Sequence, residues 1–191
     1  MCRAASITLT FVLASTVAGS AWARQPVSVT EWSHGTTLNG FVGATADAKQ
    51  TGPVVGGAAG WEITPRIAIE GSGAWTDFGA GTTSFAGAVT ARVRIAGKRK
   101  IDPFVHAGIG LYRATFGANE IDVPEFYSQR MTVHRTFTDP SIVAGGGVSL
   151  FVNRSVAVRP DAETAVVFRG GHRLVVTTVA MHVVYHFETS R

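Results

Sequence analysis

The histidines are the residues with the clearest potential for chemistry, and the sequence has six of them. His182 and His186 lie four positions apart in an alternating segment, which places both rings on one face of a strand. Four residues of extended chain span about 13 Å, too far for two rings to hold one ion unless a group such as His106 approaches from another strand. We therefore predict no metal site and no cofactor, and interpret these histidines as polar residues inside the fold.

Six charged residues at alternating positions could form either a catalytic set or buried ion pairs. They are Glu70, Arg92, Arg94, Arg159, Asp161 and Glu163. A hydrolase would need a serine, a histidine and a carboxylate at neighbouring positions on one side, and no strand face carries that grouping or a Gly-x-Ser-x-Gly motif. Residues 108–110 read Gly-Ile-Gly without the third glycine of a dinucleotide-binding motif. These patterns predict a protein that is not an enzyme.

The elements that must position these charges are strands. In residues 82–95 the larger apolar residues occupy one phase of a two-residue period and Arg92 and Arg94 occupy the other, and segments 67–76 and 156–166 repeat the pattern with the remaining four charges. The predicted strands are 37–46, 54–61, 67–76, 82–95, 104–112, 141–151, 156–166 and 174–187.

The composition also favours an all-β membrane protein. Of 191 residues, 22 are glycine and only 16% are charged, while 46% are hydrophobic and the mean hydropathy is +0.20, which excludes a disordered or collagen-like chain. The formal net charge is +4, but the basic residues are dispersed apart from 98–100, so we expect no nucleic-acid partner.

The first 23 residues predict export. Arg3, an uncharged apolar run and Ala21-Trp22-Ala23 have the order of a secretory signal peptide that is cleaved after Ala23. Cleavage would remove Cys2, the single cysteine, so disulfides cannot secure the mature chain. Residues 24–35 would form an N-terminal periplasmic segment, and no later apolar run approaches the ~20 residues of a spanning helix.

The connections predict the orientation of a membrane barrel. Short turns at 63–66, 97–100 and 152–155 would lie in the periplasm, and the opposite connections, at 47–52, 77–81, 115–138 and 169–173, would face outward from the cell. Aromatic residues at strand ends would form two interfacial girdles, although the same pattern could describe the core of a soluble sandwich. The predicted girdle residues are Trp61, Trp75, Phe85, Tyr185 and Phe187.

Two segments and the end of the chain resemble a known family. Residues 56–70 read as strand, tight turn and strand, residues 103–112 as a further strand, and Val183, Tyr185 and Phe187 as an aromatic-terminated last strand. In these features the chain resembles, over 36–187, the small outer-membrane β-barrels that include the OmpA-type transmembrane domain and the opacity-like proteins.

The resemblance implies an all-β fold, an eight-stranded antiparallel up-and-down transmembrane β-barrel in the bacterial cell outer membrane. It also implies recognition of the last strand by the barrel-assembly machinery, although the tail 188–191 that follows Phe187 departs from the family pattern. The partners expected from it are the outer-membrane lipid bilayer and that machinery.

The function that these patterns favour is structural or surface-interacting, with a lumen closed by the six charges because an eight-stranded barrel is just wide enough for side chains to fill. A small pore for passive solute passage and a soluble periplasmic barrel that binds a small apolar ligand remain alternatives. An unknown extracellular ligand would meet the long connection, whose candidate residues are Phe116, Phe126, Tyr127, Arg130, His134 and Arg135.

Overall fold

The computed structural model describes residues 35–48, 50–79, 81–95, 100–116, 136–153 and 155–187. In these residues eight strands form one closed barrel in which every strand pairs antiparallel with its neighbours in chain order and β8 pairs with β1. The strands are β1 (Thr36–Ala46), β2 (Thr51–Glu62), β3 (Ile67–Gly79), β4 (Thr82–Arg94), β5 (Ile101–Thr115), β6 (Thr136–Phe151), β7 (Val156–Arg169) and β8 (His172–Phe187). The predicted fold class is confirmed.

The pairing register determines the tilt of the strands. We followed the paired residues from strand to strand, starting at Thr36 on β1. After one circuit of the barrel the path returns to β1 at Ala46, ten residues farther along (46 − 36 = 10). With eight strands, this shear corresponds to a tilt of about 40° from the barrel axis. At this tilt each strand is long enough to cross a bilayer.

Side chains alternate between the barrel interior and its outer wall. Along β4 the residues Arg92 and Arg94 are buried whereas Val89 and Val93 are exposed, and β3 buries Glu70 while Ile69 is exposed. The two phases assigned from the sequence therefore correspond to the interior and the outer wall. No helix within the described residues is long and apolar enough to span a membrane.

Several strands are longer than the alternation predicted. The largest difference lies at β5 and β6, which continue pairing as far as Thr115 and Thr136 instead of ending at residues 112 and 141. The threonine hydroxyl groups of that last pair lie 3.3 Å apart. Backbone pairing continues there through polar residues, whereas the prediction depended on apolar periodicity.

The two ends of the barrel differ. We call the end that holds the first residue of β1 and the last residue of β8 the terminal end; the β2–β3, β4–β5 and β6–β7 connections lie there too. The opposite end, the loop end, holds the β5–β6 connection and the tight β7–β8 turn. In that turn Gly170 and Gly171 have φ of 53° and 89°, a conformation that glycine adopts without strain.

Candidate functional site in the barrel interior

The centre of the interior network is an ion pair between strands that face each other across the lumen. Arg159 on β7 donates from Nη2 to Glu70 Oε1 at 2.8 Å and from Nη1 to Glu70 Oε2 at 3.0 Å. β3 and β7 are four strands apart in a closed ring of eight, so this two-pronged contact spans the barrel. Only 1% of the Arg159 side chain and 11% of the Glu70 side chain are exposed.

A second arginine and an aromatic ring hold this pair in position. Arg92 Nη1 donates to Glu70 Oε2 at 3.2 Å, so one carboxylate serves two guanidinium groups. The Phe104 ring lies beside both cations, with centroid distances of 5.7 Å to Arg92 Cζ and 5.4 Å to Arg159 Cζ. The ring's π face favours such cations and excludes water from the space between them.

A second cluster lies in the interior nearer the terminal end. Arg94 on β4 contacts the carboxylate of Glu62 on β2, and its Nε lies 3.2 Å from Asp102 Oδ2 on β5. His186 on β8 places its Nδ1 3.9 Å from Glu62 Oε1. The cluster therefore joins four strands through buried side chains.

A third group lies on the loop-end side of the central pair. His106 lies between two carboxylates, with Nε2 3.6 Å from Asp161 Oδ1 and Nδ1 3.7 Å from Glu163 Oε2. Gly145 makes room for this ring, because a Cβ at Gly145 would lie 2.4 Å from His106 Nε2. The Glu163 side chain is 32% exposed, so solvent reaches this part of the interior.

His182 supports the central arginine. Its Nδ1 lies 3.2 Å from Arg159 Nη2 and 3.2 Å from Asn39 Oδ1, so the imidazole links the guanidinium on β7 to β1. The Phe41 ring packs against the imidazole with centroids 4.5 Å apart. The imidazole therefore contacts the same guanidinium nitrogen, Nη2, that binds Glu70.

The structure brings all six charged residues predicted for the lumen into this interior, and it adds others. Glu62, Asp102 and His106 join them, so the terminal half holds five carboxylates, three arginines and the three histidines His106, His182 and His186, rather than three charges of each sign. Glu62 and Asp102 were missed because the predicted strands stopped at 61 and began at 104. Extending the two-residue alternation by one step would have placed both inside.

The loop-end half of the interior is mainly apolar. Phe116 is 3% exposed, and its ring lies 6.1 Å from that of Phe137 between centroids. Arg169 pairs with Asp139 at 2.9 Å and covers the Phe137 ring at 3.9 Å. The cluster also includes Tyr112, Ala114, Val167, Leu174 and Val176.

Of the six residues predicted for a surface-interacting loop, Phe116 is the one within the described residues. Phe116 lies inside the barrel, so its assignment to an exposed binding surface is wrong. The inward–outward alternation of β5 continues one residue past the end of the strand, and this places Phe116 on the inward side. The other five, Phe126, Tyr127, Arg130, His134 and Arg135, lie outside the described residues.

The aromatic residues predicted for the membrane interfaces all point outward. Trp61, Tyr185 and Phe187 lie at the terminal end, and Trp75 and Phe85 face each other across β3 and β4 nearer the loop end, each with 46–57% exposure. Six residues separate Trp61 from Val55, the direct neighbour of Trp75, which is about 20 Å along the strand. At a tilt of about 40° this distance corresponds to about 15 Å along the barrel axis, which is shorter than the ~25 Å apolar band of a membrane barrel.

The contacts of the interior are ion pairs and hydrogen bonds between strands. Within the described residues no three His, Cys, Asp or Glu side chains form a group that could hold a metal ion. The charged groups contact one another across strands, and no serine takes part in these contacts. The arrangement cross-links strands through side chains inside the barrel.

Comparison with known proteins agrees with this geometry. Residues 9–187 match the family model described as outer membrane protein beta-barrel domain. Among solved structures, Neisserial surface protein A shares 12% identity with a TM-score of 0.61, over 81% of this chain and 97% of that one. The N-terminal β-barrel domain of Pseudomonas aeruginosa OprF shares 10% with a TM-score of 0.59, over 81% and 100%.

A third similar structure is OprG from Pseudomonas aeruginosa, with 10% identity and a TM-score of 0.52 over 82% of this chain and 97% of that one. At these identities the similarity concerns the fold alone. No curated protein sequence matches the chain.

Proposed function

The chain belongs to the outer membrane protein beta-barrel domain family, and from this membership we propose that it is a barrel with a closed, ion-paired lumen and a structural or surface-interaction role. Family membership implies that the barrel is embedded in the lipid bilayer of the bacterial outer membrane. The observation that carries the closed lumen is the Glu70–Arg159 pair, which joins opposite walls.

The outer wall supports a membrane-embedded barrel over a soluble one. Large apolar side chains on this wall are widely exposed, among them Ile109 at 71%, Val42 at 63% and Val183 at 59%. A soluble barrel would leave this continuous apolar surface in water, whereas a bilayer covers it.

A small pore is the second candidate, and one observation favours it. Beyond the central pair, the interior of β4 and β5 is lined by the small residues Ala86, Ala88, Gly108 and Gly110, all partly accessible, and solvent reaches Glu163. A conducting path would need to open through the ion pairs of the terminal half and past the Phe116–Phe137 contact of the loop-end half.

The orientation, export and assembly of the chain complete this proposal. Residues 1–23 direct export, residues 24–35 remain in the periplasm, the terminal end faces the periplasm, and β8 is the strand that the assembly machinery binds. The long β5–β6 connection at the opposite end supports the orientation, since outer-membrane barrels have short periplasmic turns and longer extracellular loops. Any surface ligand would meet the segment 117–135, with Phe126, Tyr127, Arg130, His134 and Arg135 as contact residues.

Conductance in planar bilayers tests the closed lumen. We expect the purified barrel to show no large, steady conductance, because the charges that could line a path bind one another. A steady open state would contradict the closed lumen and support the pore.

Labelling of introduced cysteines on intact cells tests the orientation. Ala48→Cys lies at the loop end and is expected to react with a membrane-impermeant maleimide, whereas Asn153→Cys at the terminal end serves as the protected control. The reverse labelling pattern would overturn the orientation. The cleavage site is tested separately by N-terminal sequencing of the mature protein, and a first residue other than Arg24 would overturn it.

A further inference from the structure

Charge on the outer wall is concentrated near the loop end. Among the described strand residues with outward side chains, the charged ones are Asp77, Arg113 and Arg173. The Asp77 carboxylate accepts a hydrogen bond from the Gly79 amide at 2.8 Å, so it helps to form the adjacent turn. Arg173 is next to the β7–β8 turn, whereas Arg113 lies two residues inside the end of β5.

Arg113 is part of an aromatic row. Trp75 lies directly opposite Phe85, and Phe85 lies directly opposite Arg113, so the three side chains follow one line across β3, β4 and β5. Directly opposite residues have Cβ atoms about 5 Å apart. The outer wall therefore presents two aromatic rings and a guanidinium group side by side, near the level where the apolar band ends.

A cleft of about 300 Å³ lies among these side chains. Thr83, Ser84 and Thr115 complete its lining; the Ser84 side chain faces the barrel interior, whereas Thr83 and Thr115 face outward with Arg113, so the cleft has a polar side and an apolar side formed by the rings. This volume is at the lower limit for small-molecule sites, large enough for one charged group and the first part of an attached chain.

The guanidinium of Arg113 has no ion pair within the described part of the chain, in contrast to the interior arginines, which all contact carboxylates. A cation at the edge of an apolar wall is placed to contact an anionic group in the headgroup region. Its fork of donors suits a phosphate, and the flanking rings suit an acyl chain.

The outer wall beside the cleft has a row of four glycines without side chains. They face outward and pair directly with one another from β1 to β4, and they are Gly40, Gly57, Gly73 and Gly87. The Phe85 ring leans over this row, 3.5 Å from where a Cβ of Gly73 would lie. An acyl chain descending from the cleft would meet little obstruction on this side.

We propose that the Arg113 cleft binds a phosphorylated glycolipid of the outer leaflet, with a phosphate at Arg113 and an acyl chain against Trp75 and Phe85. The choice of leaflet rests on the orientation proposed above, in which the loop end faces outward. A lipid held at this site would anchor the barrel laterally, a role independent of whether its lumen conducts.

Lipid binding to the full barrel in detergent, measured by native mass spectrometry, tests the proposal. The probes are diphosphorylated lipid A, lipid A without phosphates and phosphatidylglycerol. Arg113→Gln should weaken binding of diphosphorylated lipid A about tenfold, since one hydrogen bond to a charged group is worth at least ~1.4 kcal/mol, a factor of ten. Arg113→Lys should retain part of the binding, and Arg173→Gln, the matched control, should change it less than twofold.

Three results would overturn the site or its ligand. Equal binding by Arg113→Gln and the unmodified barrel, or equal loss in Arg113→Gln and Arg173→Gln, would show that no specific phosphate site exists at Arg113. Phosphatidylglycerol binding as tightly as lipid A would overturn the glycolipid assignment. Heat-dependent gel mobility verifies that each variant is folded. Native mass spectrometry in detergent needs neither a bilayer nor a closed lumen, so the lipid-binding result is separate from the conductance and labelling tests.

Discussion

Glu70 and Arg159 join opposite walls of the barrel through two hydrogen bonds of 2.8 and 3.0 Å, although 89 positions separate them in the chain. In a narrow barrel the two walls are close enough for one glutamate and one arginine to meet at the axis. The pair therefore braces the two walls, and in the closed lumen that we propose it also blocks the axis. Both roles depend on the buried charges remaining paired.

Removal of the negative charge of this brace should destabilise the barrel. Glu70→Gln keeps the side-chain shape but leaves Arg92 and Arg159 buried against a neutral amide, and the free energy of unfolding should fall by about 3 kcal/mol. The matched control is Glu163→Gln, whose carboxylate is 32% exposed and 3.7 Å from His106, and we expect a loss below about 1 kcal/mol. Urea unfolding in detergent micelles measures both, and equal losses would contradict the bracing role.

Removal of both partners should open the lumen. The double variant Glu70→Ala with Arg159→Ala removes both members of the pair, leaves Arg92 without its carboxylate and creates a gap at the barrel axis, so a conductance above that of the unmodified barrel is expected in planar bilayers. The control pair Asp139→Ala with Arg169→Ala removes an equally close ion pair, but its members lie on the neighbouring strands β6 and β7. The Glu70–Arg159 pair is not the gate if its double variant has the conductance of the unmodified barrel. The same conclusion holds if both double variants gain conductance.

The sequence predicted the fold because its main signal is local. A two-residue alternation that keeps the six charges of residues 67–76, 82–95 and 156–166 on one phase specifies strand, inner face and outer face together, and Glu70, Arg92 and Arg159 lie inside the barrel. The number of strands followed from the alternating segments, and their antiparallel order from the resemblance to small outer-membrane barrels. These features do not depend on the pairing of distant residues.

The partners within the site could not be predicted because they depend on register. A shear of ten residues, not evident from any one strand, sets which inward positions share a level, and so brings Arg159 to Glu70 rather than to its own-strand neighbour Asp161. Phe116 shows the other limit. Its apolar character was compatible with both a surface loop and the lumen, and only the continuation of β5 to Thr115 places it inside.

Gly145 should be intolerant of a side chain, unlike a glycine on the outer wall. A Cβ at Gly145 would lie 2.4 Å from His106 Nε2 and 2.5 Å from the Ala162 carbonyl oxygen, so Gly145→Ala should lower the free energy of unfolding by about 2 kcal/mol. Gly71 on β3 has nothing within 4 Å of that position, and Gly71→Ala should be neutral or stabilise by about 0.5 kcal/mol. Urea titration compares them, and a tolerated Gly145→Ala would mean that β6 and His106 are loosely packed.

Replacement of the β5–β6 connection should separate assembly from surface interaction, provided that the cut respects the interior. Residues 117–135 exchanged for a short Gly/Ser turn should leave a heat-modifiable barrel in the outer membrane, because Phe116 and Phe137 stay in contact and the Thr115–Thr136 pair closes the hairpin.

Replacement of the longer segment 115–138 is the comparison. It removes Phe116 and Phe137, whose exposed fractions are only 3% and 5%, from the interior cluster, and thermal stability should fall markedly. Gel mobility across a temperature series measures both effects, and adhesion assays on the same cells test whether any surface adhesion of the intact protein disappears with 117–135. Failure of the shorter variant to assemble would show that the segment belongs to the fold, and the surface-interaction role would then have to be assigned elsewhere.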